Sequence, residues 1–275
     1  MDKYSVLITG CSSGIGRHAA RELKARGYRV FATARKQMDV DDLITEGLES
    51  VQLDIASSAS IQNAFETILR KTDGKLYALF NNAAFGLSGA VEDLSRDALR
   101  DIFEVNLFGT HELTRLVIPV MRQQGHGRII QNSSVLGLIA LKYRGAYNAT
   151  KFALEGLSDT LRMELEGTDI FVSMIEPGPI ESNFRKNAYV AYKRYIDKNN
   201  SVYRKIYEQM EKRLQTEGPV VPFTLGPEAV YKKVIHALES KHPRSRYYVT
   251  FPTYLFGYLK RLLPDQIMDK ILTRI

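Results

Sequence analysis

The stretch that decides the fold lies at the start of the chain, where residues 4–23 read YSVLITGCSSGIGRHAAREL. Its first five residues form a short apolar run typical of a buried strand, and its last seven have the spacing of a helix. Three glycines lie between them, Gly10, Gly14 and Gly16. Glycines let the backbone approach a pyrophosphate, and the N-terminus of the helix presents free N–H groups to it. The stretch therefore predicts a dinucleotide-binding strand-turn-helix unit.

A second pattern, Tyr147-Asn148-Ala149-Thr150-Lys151, puts a phenol and an ammonium group four residues apart. On a helix this spacing brings both side chains to one face. A free phenol has a pKa of about 10, and a nearby cation stabilises the phenolate. The spacing alone also occurs in ordinary amphipathic helices, so the pair gains meaning only beside the glycine turn. We predict that Tyr147 exchanges a proton with a substrate and that Lys151 lowers the pKa of Tyr147.

The glycine spacing, Gly-x-x-x-Gly-x-Gly, together with Tyr147 and Lys151, resembles the short-chain dehydrogenase/reductase family. The resemblance runs from Val6 to about Ser182. It is greatest to the hydroxysteroid and retinol dehydrogenase-like branch and to bacterial NADP-dependent aldehyde reductases. Residues 81–84, Asn-Asn-Ala-Ala, resemble the Asn-Asn-Ala-Gly turn of the family, with Ala84 where glycine is usual.

The resemblance implies a catalytic tetrad of Asn106, Ser134, Tyr147 and Lys151. In relatives, the residue matching Asn106 holds a water in the proton relay. Ser133 and Ser134 both follow a predicted strand, at the carboxyl edge where ligands bind in parallel sheets. Ser134 lies thirteen residues before Tyr147, the spacing of hydroxysteroid dehydrogenase-like relatives, so we assign it the hydrogen bond to the substrate oxygen. Ser133 is expected to bond the backbone instead.

The resemblance also implies the contacts of a nicotinamide dinucleotide. The Ile180 amide matches the group that meets the nicotinamide carboxamide, Ser182 stands where relatives often carry threonine, and Asp54 matches an aspartate that touches the adenine. These segments also fit ordinary strand-ending turns and helix starts. The predicted cofactor contacts are Gly10, Ser12, Ser13, Gly14, Ile15, Gly16, Arg35, Asp54, Ile55, Asn82, Ala83, Tyr147, Lys151, Pro177, Gly178, Ile180 and Ser182.

The charge after the second predicted strand favours one form of the cofactor. Residues 29–34 run into Arg35 and Lys36, where an acidic residue would otherwise bind the adenosine ribose diol. A carboxylate would repel a 2′-phosphate, whereas a guanidinium binds it in a forked, charge-assisted geometry. We therefore predict NADP(H) rather than NAD(H), with Arg35 as the main determinant.

Length and residue pattern predict a single domain over residues 1–275. Alternating strand and helix patterns indicate an α/β fold with a doubly wound parallel sheet, the Rossmann fold. The chain enters its first strand almost at once, from which we expect no signal or transit peptide. The single cysteine, Cys11, excludes an intramolecular disulfide and fits a reducing, cytoplasmic compartment. We expect close packing for Cys11, and the five histidines show no metal-ligand spacing, so no metal is expected.

Two segments outside the motifs remain open to interpretation. Residues 185–225 are predicted to form a helical substrate lid; within them, 185–213 carry nine cations against three acids, an excess of six in a net charge of +7. The lid tyrosines either border the pocket or pack on the sheet, and the charges either meet an acidic substrate, carrier or membrane or are merely solvated. The amphipathic tail, residues 252–275, fits pocket capping, dimer formation or peripheral membrane contact, of which packing within the protein or a dimer is favoured. A homodimer or homotetramer is expected, and no groove-reading motif suggests nucleic acid.

The predicted function is reversible hydride transfer between NADP(H) and a carbonyl/alcohol pair, with a lipophilic aldehyde, ketone, retinoid or steroid as substrate. An apolar pocket is predicted around Tyr147, and its proposed substrate contacts are Ser134, Leu136, Tyr143, Tyr147 and Phe184. Two alternatives remain. A basic lid could receive a carrier-bound ketoacyl group, or the chain could be a non-catalytic NADPH-binding regulator.

Overall fold

The computed structural model of the protein describes residues 4–275. One fully parallel sheet contains the strands β1 (Ser5–Ile8), β2 (Arg29–Ala34), β3 (Glu49–Gln52), β4 (Ala78–Asn81), β5 (Gly127–Asn132), β6 (Ile170–Glu176) and β7 (Arg246–Tyr248). Their order is β3-β2-β1-β4-β5-β6-β7. The order reverses between β1 and β4, and ligands bind at the carboxyl end of such a switch point. The predicted α/β fold with a doubly wound parallel sheet is confirmed.

Helices connect the strands and extend the chain beyond them. They are α1 (Gly14–Ala25), α2 (Gln37–Thr45), α3 (Ser58–Lys71), α4 (Arg96–Phe103), α5 (Gly109–Gln124), α6 (Gly145–Glu164), α7 (Phe184–Tyr195), α8 (Arg204–Gln215), α9 (Glu228–Glu239), α10 (Phe251–Leu262) and α11 (Asp265–Leu272). A single π-turn, Glu104–Phe108, joins α4 to α5. Sequence reasoning placed Asn106 on a helix and gave no sign of this irregularity.

Two hydrophobic layers hold the sheet between helices. Alternate residues of β1 point to opposite faces, so Val6 and Ile8 join one layer while Leu7 joins the other. Helices α1, α2 and α9 cover the first face, and α3 and α5 cover the second. Cys11 is buried in the first layer, where its thiol donates to the Ile8 carbonyl at 3.3 Å. Burial raises the pKa of the Cys11 thiol to about 12, consistent with the predicted close packing.

The lid region folds as two helices, α7 and α8, with a core of their own. The buried residues of this core include Ala188, Tyr192, Tyr207 and Leu214, and Tyr189 and Tyr203 pack against them. Most of the lid tyrosines therefore bury their rings between the two helices rather than against the sheet or the predicted pocket. Tyr195 differs, since it packs against the apolar cluster that contains Tyr147.

The predicted amphipathic tail forms α10 and α11, which are separated at Pro264. Strand β7 ends at Tyr248, because the chain turns at Val249 and Thr250 into α10. Helix α10 lies against the turn Val135–Gly137, next to the predicted catalytic serine. Within residues 4–275, no helix is both long enough and apolar enough to cross a membrane.

Candidate active site

The glycine turn leaves an open cradle at the carboxyl end of β1. Gly10 and Gly14 have φ angles of +70° and +55°, which side-chain-bearing residues rarely adopt. A Cβ atom on Gly10 would lie 2.8 Å from the Ala83 Cα, and one on Gly14 would lie 2.8 Å from the Ser182 Cβ. The first turn of α1 contains no acidic residue, and Ser13 precedes it without a side-chain capping bond. These features suit an anionic group such as a pyrophosphate.

Hydrogen bonds fasten this cradle to the end of β4. The Thr9 hydroxyl accepts from the backbone N–H groups of Asn82 and Ala83, both at 2.9 Å. In return, the Asn82 side-chain amide donates to the carbonyls of Thr9 at 3.0 Å and Gly10 at 3.1 Å. The turn after β4 is therefore fixed against the glycine turn, as expected for residues 82 and 83.

Two further hydrogen bonds connect Asn82 to the predicted catalytic lysine. The Asn132 side chain donates to the Asn82 Oδ1 at 2.9 Å, and the Lys151 Nζ donates to the Asn132 carbonyl at 2.7 Å. Thr9 and Asn132 thus link the nucleotide end of the cleft to Lys151. Sequence reasoning missed both residues because neither belongs to a short spaced motif with Lys151.

The structure brings Ser134, Tyr147 and Lys151 together. Tyr147 is buried, and the Ser134 hydroxyl lies close enough to its phenol to lower the phenol pKa. The Ser134 Oγ also accepts from the Leu136 N–H at 3.1 Å, which fixes its position at the start of the following turn. The Lys151 Nζ lies 5.6 Å from the centroid of the Tyr147 ring. The predicted side-by-side placement on α6 is therefore present.

The pKa shifts correct one part of the prediction. Burial raises the pKa of Tyr147 above the ordinary value of a phenol, the nearby Ser134 hydroxyl opposes this rise, and no lowering by Lys151 outweighs it. Burial also lowers the pKa of Lys151 to about 8, against the opposing charge of Glu155. In this state Tyr147 holds its proton at neutral pH and is suited to donate it.

Asn106 lies in the π-turn and is almost completely buried. Its side-chain amide donates to the Phe85 carbonyl at 2.9 Å and to the Thr150 hydroxyl at 3.2 Å, and its Oδ1 accepts from the Phe85 N–H at 3.0 Å. The side chain therefore joins the segment after β4 to α6. Both N–H donors of the Asn106 side chain are thus used within the protein. π-Turns are frequent at functional sites.

The expected role of Ser133 is wrong. Its hydroxyl is buried and makes no hydrogen bond to the backbone within residues 4–275. It faces the carboxylate of Glu155, which lies on the helix turn after Lys151. Gly137 packs over both groups, since a Cβ atom there would lie 2.8 Å from the Ser133 Oγ and 3.2 Å from the Glu155 Oε1.

An apolar wall surrounds the Tyr147 ring. The Phe184 ring meets it edge-on, with centroids 5.4 Å apart, and Leu136 and Phe85 belong to the same cluster. Tyr143 is not brought into this cluster. It packs edge-on against Tyr203 of the lid, at 5.6 Å between centroids, and lines a separate cavity of about 560 Å³. Of the predicted apolar substrate contacts, the structure thus groups Leu136 and Phe184 with Tyr147 but not Tyr143.

The segment after β6 returns to the glycine turn. The Pro177 carbonyl accepts from the Val135 N–H at 2.8 Å, and Gly178 lies so close to Thr250 that a Cβ atom would be 2.1 Å from its hydroxyl. The Glu181 N–H donates to the Leu225 carbonyl, and the Leu225 N–H donates to the Pro179 carbonyl. The Ile180 N–H therefore points to the opposite side.

The remaining predicted cofactor contacts lie along the same edge of the sheet. Arg35 is exposed directly after β2, and no ion pair within residues 4–275 includes it. Asp54 follows β3, and its carboxylate accepts from the Ala56 N–H at 3.1 Å. Ile55 is buried, with its carbonyl beside Gly109 at the start of α5. Ser12, Ile15 and Gly16 lie within the glycine turn and the first turn of α1.

Comparison with known proteins decides the family. The sequence profile described as "short chain dehydrogenase" matches residues 4–193. The chain belongs to the short-chain dehydrogenase family. Members of this family are oxidoreductases that use nicotinamide cofactors, and matching solved structures include one with NAD and one with NADPH. Family membership alone therefore leaves the choice between the two cofactors open.

Individual members of the short-chain dehydrogenase family are similar over nearly the whole chain. The uncharacterized oxidoreductase YbbO of Escherichia coli is 46% identical over 98% of this chain and 93% of its own length. Human 17-beta-hydroxysteroid dehydrogenase type 1 is 33% identical over 91% of this chain and 78% of its own length. A solved short-chain dehydrogenase from Streptomyces avermitilis is 28% identical, with a TM-score of 0.81 over 99% of this chain and 98% of its own.

Proposed function

We propose that the chain is an NADP(H)-dependent oxidoreductase that reduces a lipophilic aldehyde or ketone to the alcohol, reversibly. The observation that carries this proposal is the buried phenol of Tyr147, which lies beside the Lys151 ammonium at 5.6 Å from its ring centroid and near the Ser134 hydroxyl. Lys151 lies one helical turn away and is linked to the glycine cradle through Asn132 and Asn82. A proton donor thus stands at the end of the cleft that suits a dinucleotide.

A nicotinamide bound in this cleft supplies or accepts the hydride. Ser134 hydrogen-bonds the carbonyl oxygen and fixes its position, and Tyr147 protonates that oxygen as the alcohol forms. In the reverse direction, Tyr147 takes the proton from the alcohol. Lys151 holds the nicotinamide ribose and adds a positive charge beside the phenol, and Asn106 contributes to the path by which the proton is replaced. The raised pKa of Tyr147 favours the donating direction.

The cofactor fits the chain's own groups at three points. The glycine cradle and the first turn of α1 receive the pyrophosphate, with Ser12, Ser13 and Ile15 around it. Arg35 binds the 2′-phosphate, and its lack of an ion-pair partner in the described chain supports this role. The Ile180 amide and the Ser182 hydroxyl receive the nicotinamide carboxamide, while Asp54 and Ile55 lie at the adenine end.

The apolar cluster around Tyr147 supports a lipophilic substrate. Leu136 and Phe184 line the approach to the phenol, and α7, which begins at Phe184, covers it. The human relative named 17-beta-hydroxysteroid dehydrogenase type 1 acts on a steroid, and this supports a steroid-like or retinoid-like compound for this chain as well. Tyr143 would contact only a substrate long enough to reach the second cavity.

A carrier-bound ketoacyl substrate is the second candidate, and the basic lid is the observation that favours it. Lys186 lines a cavity of about 190 Å³ beside Ser182. Several other lid cations are already bound, since Lys198 pairs with Glu211, Arg194 with Asp101 and Arg204 with Glu208. The free positive charge of the lid is thus smaller than the sequence count suggests.

The test is turnover of a panel of aldehydes, ketones, steroids, retinoids and carrier-bound ketoacyl compounds, followed by NADPH oxidation. We expect reduction of lipophilic carbonyls by the wild type and no reduction by Tyr147→Phe. Preference for the carrier-bound compounds would favour the second candidate. Tight NADPH binding without turnover of any compound would contradict catalysis and indicate a cofactor-binding regulator.

A further inference from the structure

A cluster of charged side chains includes Glu155, one helical turn beyond Lys151 on α6. Its centre is Arg246 on β7, whose Nη2 donates to the Glu155 Oε2 at 3.0 Å and to the Asp159 Oδ2 at 2.6 Å. The Arg246 Nε lies 3.1 Å from the Glu176 Oε1. The side chain of Glu176 is fully buried, and that of Glu155 is 8% exposed. Carboxylates are rarely buried to this degree without a partner.

Two of these carboxyl groups are neighbours around Arg246. Glu155 comes from the middle of α6 and Glu176 is the last residue of β6, and within the described residues the Glu155 Oε1 and both Glu176 oxygens are buried without a hydrogen-bond donor. Two carboxylates that share a buried site cannot both ionise at low cost, so one retains a proton. Burial and the neighbouring Glu155 raise the pKa of Glu176 to about 9. Burial raises the pKa of Glu155 as well, but Ser133 and Arg246 oppose that rise, so we assign the shared proton to Glu176 and the negative charge to Glu155.

Glu155 is also the acid nearest in sequence to Lys151 on this helix face. It follows Lys151 by four residues, one helical turn along α6. Its negative charge raises the pKa of Lys151, against the lowering caused by burial.

Each element around Glu155 contributes a group that faces this cluster. These groups are Ser133 after β5, Glu176 on β6, Arg246 and Tyr248 on β7, and Lys151, Asp159 and Arg162 on α6. Arg246 is paired with three carboxyl groups, whereas Lys151 has one acidic neighbour among them, Glu155.

We propose that Glu155 is a positioning residue for catalysis: it shares one proton with Glu176 around Arg246, and its negative charge keeps Lys151 protonated during turnover. The proposal rests on the role given above to Lys151 and Tyr147. Ser133 belongs to this cluster, since its hydroxyl faces the Glu155 carboxylate rather than the backbone. Glu155 touches neither substrate nor cofactor and acts only through Lys151.

The test is the pH dependence of carbonyl reduction by Glu155→Gln. Loss of the negative charge lowers the pKa of Lys151. The pH above which activity falls should therefore decrease by about one pH unit. Asp159→Asn is the matched control, because Asp159 also accepts from Arg246 but lies a further turn from Lys151. It should lose activity at the same pH as the wild type. The proposal would be overturned if Glu155→Gln lost activity at the same pH as the wild type, or if both variants showed an equal shift.

A second variant keeps the test decisive if Glu155→Gln does not fold. Glu176→Gln imitates the protonated acid, so it should lose activity at the same pH as the wild type. Loss of activity at a lower pH would mean that Glu176 carries charge and would contradict the shared proton. Titration of the Lys151 Cε signal by NMR separates this inference from the proposed function. Glu155→Gln could lower the Lys151 pKa and still lose activity at the same pH as the wild type. That result would confirm that Glu155 acts on Lys151 through its charge but refute the need for a charged Lys151 in turnover.

Discussion

Tyr147 is a phenol whose surroundings keep it neutral. Burial raises its pKa, and the hydroxyl of Ser134 is the group that opposes this rise. An acid that holds its proton at neutral pH but meets a developing alkoxide is suited to protonate it. The simple expectation that Lys151 lowers the phenol pKa failed because it considered charge and left out desolvation, which the helix spacing does not reveal.

At the residue scale, we propose that Arg35 determines the preference for NADPH over NADH. Replacing Arg35 by alanine removes the forked contact to a 2′-phosphate, and a charge-assisted hydrogen bond contributes about 1.5–3 kcal/mol. We expect NADPH affinity to fall by about tenfold or more while NADH affinity stays unchanged. Fluorescence titration with both cofactors measures this.

Lys36→Ala is the control for this prediction, because it removes an adjacent exposed cation from the start of α2. It should weaken NADPH binding less than Arg35→Ala does. Unchanged NADPH affinity in Arg35→Ala would refute the assignment of Arg35.

Several site residues were predictable because chemistry and spacing agree. Ser134, Tyr147 and Lys151 came together as expected, and so did the glycine turn and Asn82. Thr9, Asn132 and Glu155 were missed because each makes contacts with elements that are far away in the sequence. Glu155 did leave a signal, its position four residues after Lys151 on one helix face, but an acid there also suits an exposed helix.

At the scale of elements, the lid is a helical pair with its own core. The Tyr207 hydroxyl accepts from the Ala90 N–H at 2.9 Å and donates to the carboxylate of Asp93, which fastens α8 to the segment between β4 and α4. Tyr207 is fully buried. The sequence predicted helices here from their apolar spacing, but it could not decide whether the tyrosine rings face the sheet, the pocket or each other.

Tyr207→Phe should loosen this attachment. The change leaves the buried Ala90 N–H without its acceptor, whereas the Asp93 carboxylate keeps the Ser201 hydroxyl as a donor. An unsatisfied buried group costs about 1–3 kcal/mol. We expect a lower free energy of unfolding in urea and faster amide hydrogen exchange at Ala90. Tyr189→Phe is the control, since the Tyr189 hydroxyl makes no hydrogen bond within the described residues. Equal stability of the two variants would contradict the attachment.

At the scale of the whole molecule, strand order decides which residues meet. The alternating strand and helix patterns predicted the doubly wound sheet, and the reversal beside β1 gathers the ends of β1, β4, β5 and β6 into one edge. The pairing of β6 with β7 also brings Arg246 to Glu176 and Glu155. No local pattern predicts that contact, because Arg246 and Glu155 are 91 residues apart.

This cluster makes stability depend on pH. The pKa of Glu176 is raised to about 9, so above its ordinary pKa the unfolded chain releases a proton that the folded chain keeps. The contribution of Glu176 to the free energy of unfolding should therefore fall as pH rises from about 5 toward 9, by at most about 1.4 kcal/mol per pH unit. Glu176→Gln should flatten this fall, as measured by urea unfolding at about pH 5 and pH 8.

Asp159→Asn serves as the control, because the pKa of Asp159 is lowered and its contribution changes only in acid. It should keep the wild-type slope between pH 5 and pH 8. If Glu176→Gln kept that slope as well, the proton would not reside on Glu176.

Turnover of a reducible lipophilic carbonyl by Tyr147→Phe, beside the wild type, tests the central claim most directly. Removing the general acid should lower kcat by about a hundredfold to ten-thousandfold, while NADPH affinity stays close to that of the wild type. The same change in the lid, Tyr189→Phe, should leave kcat unaltered. Wild-type turnover by Tyr147→Phe, with NADPH bound normally, would show that another group protonates the substrate and would contradict the account.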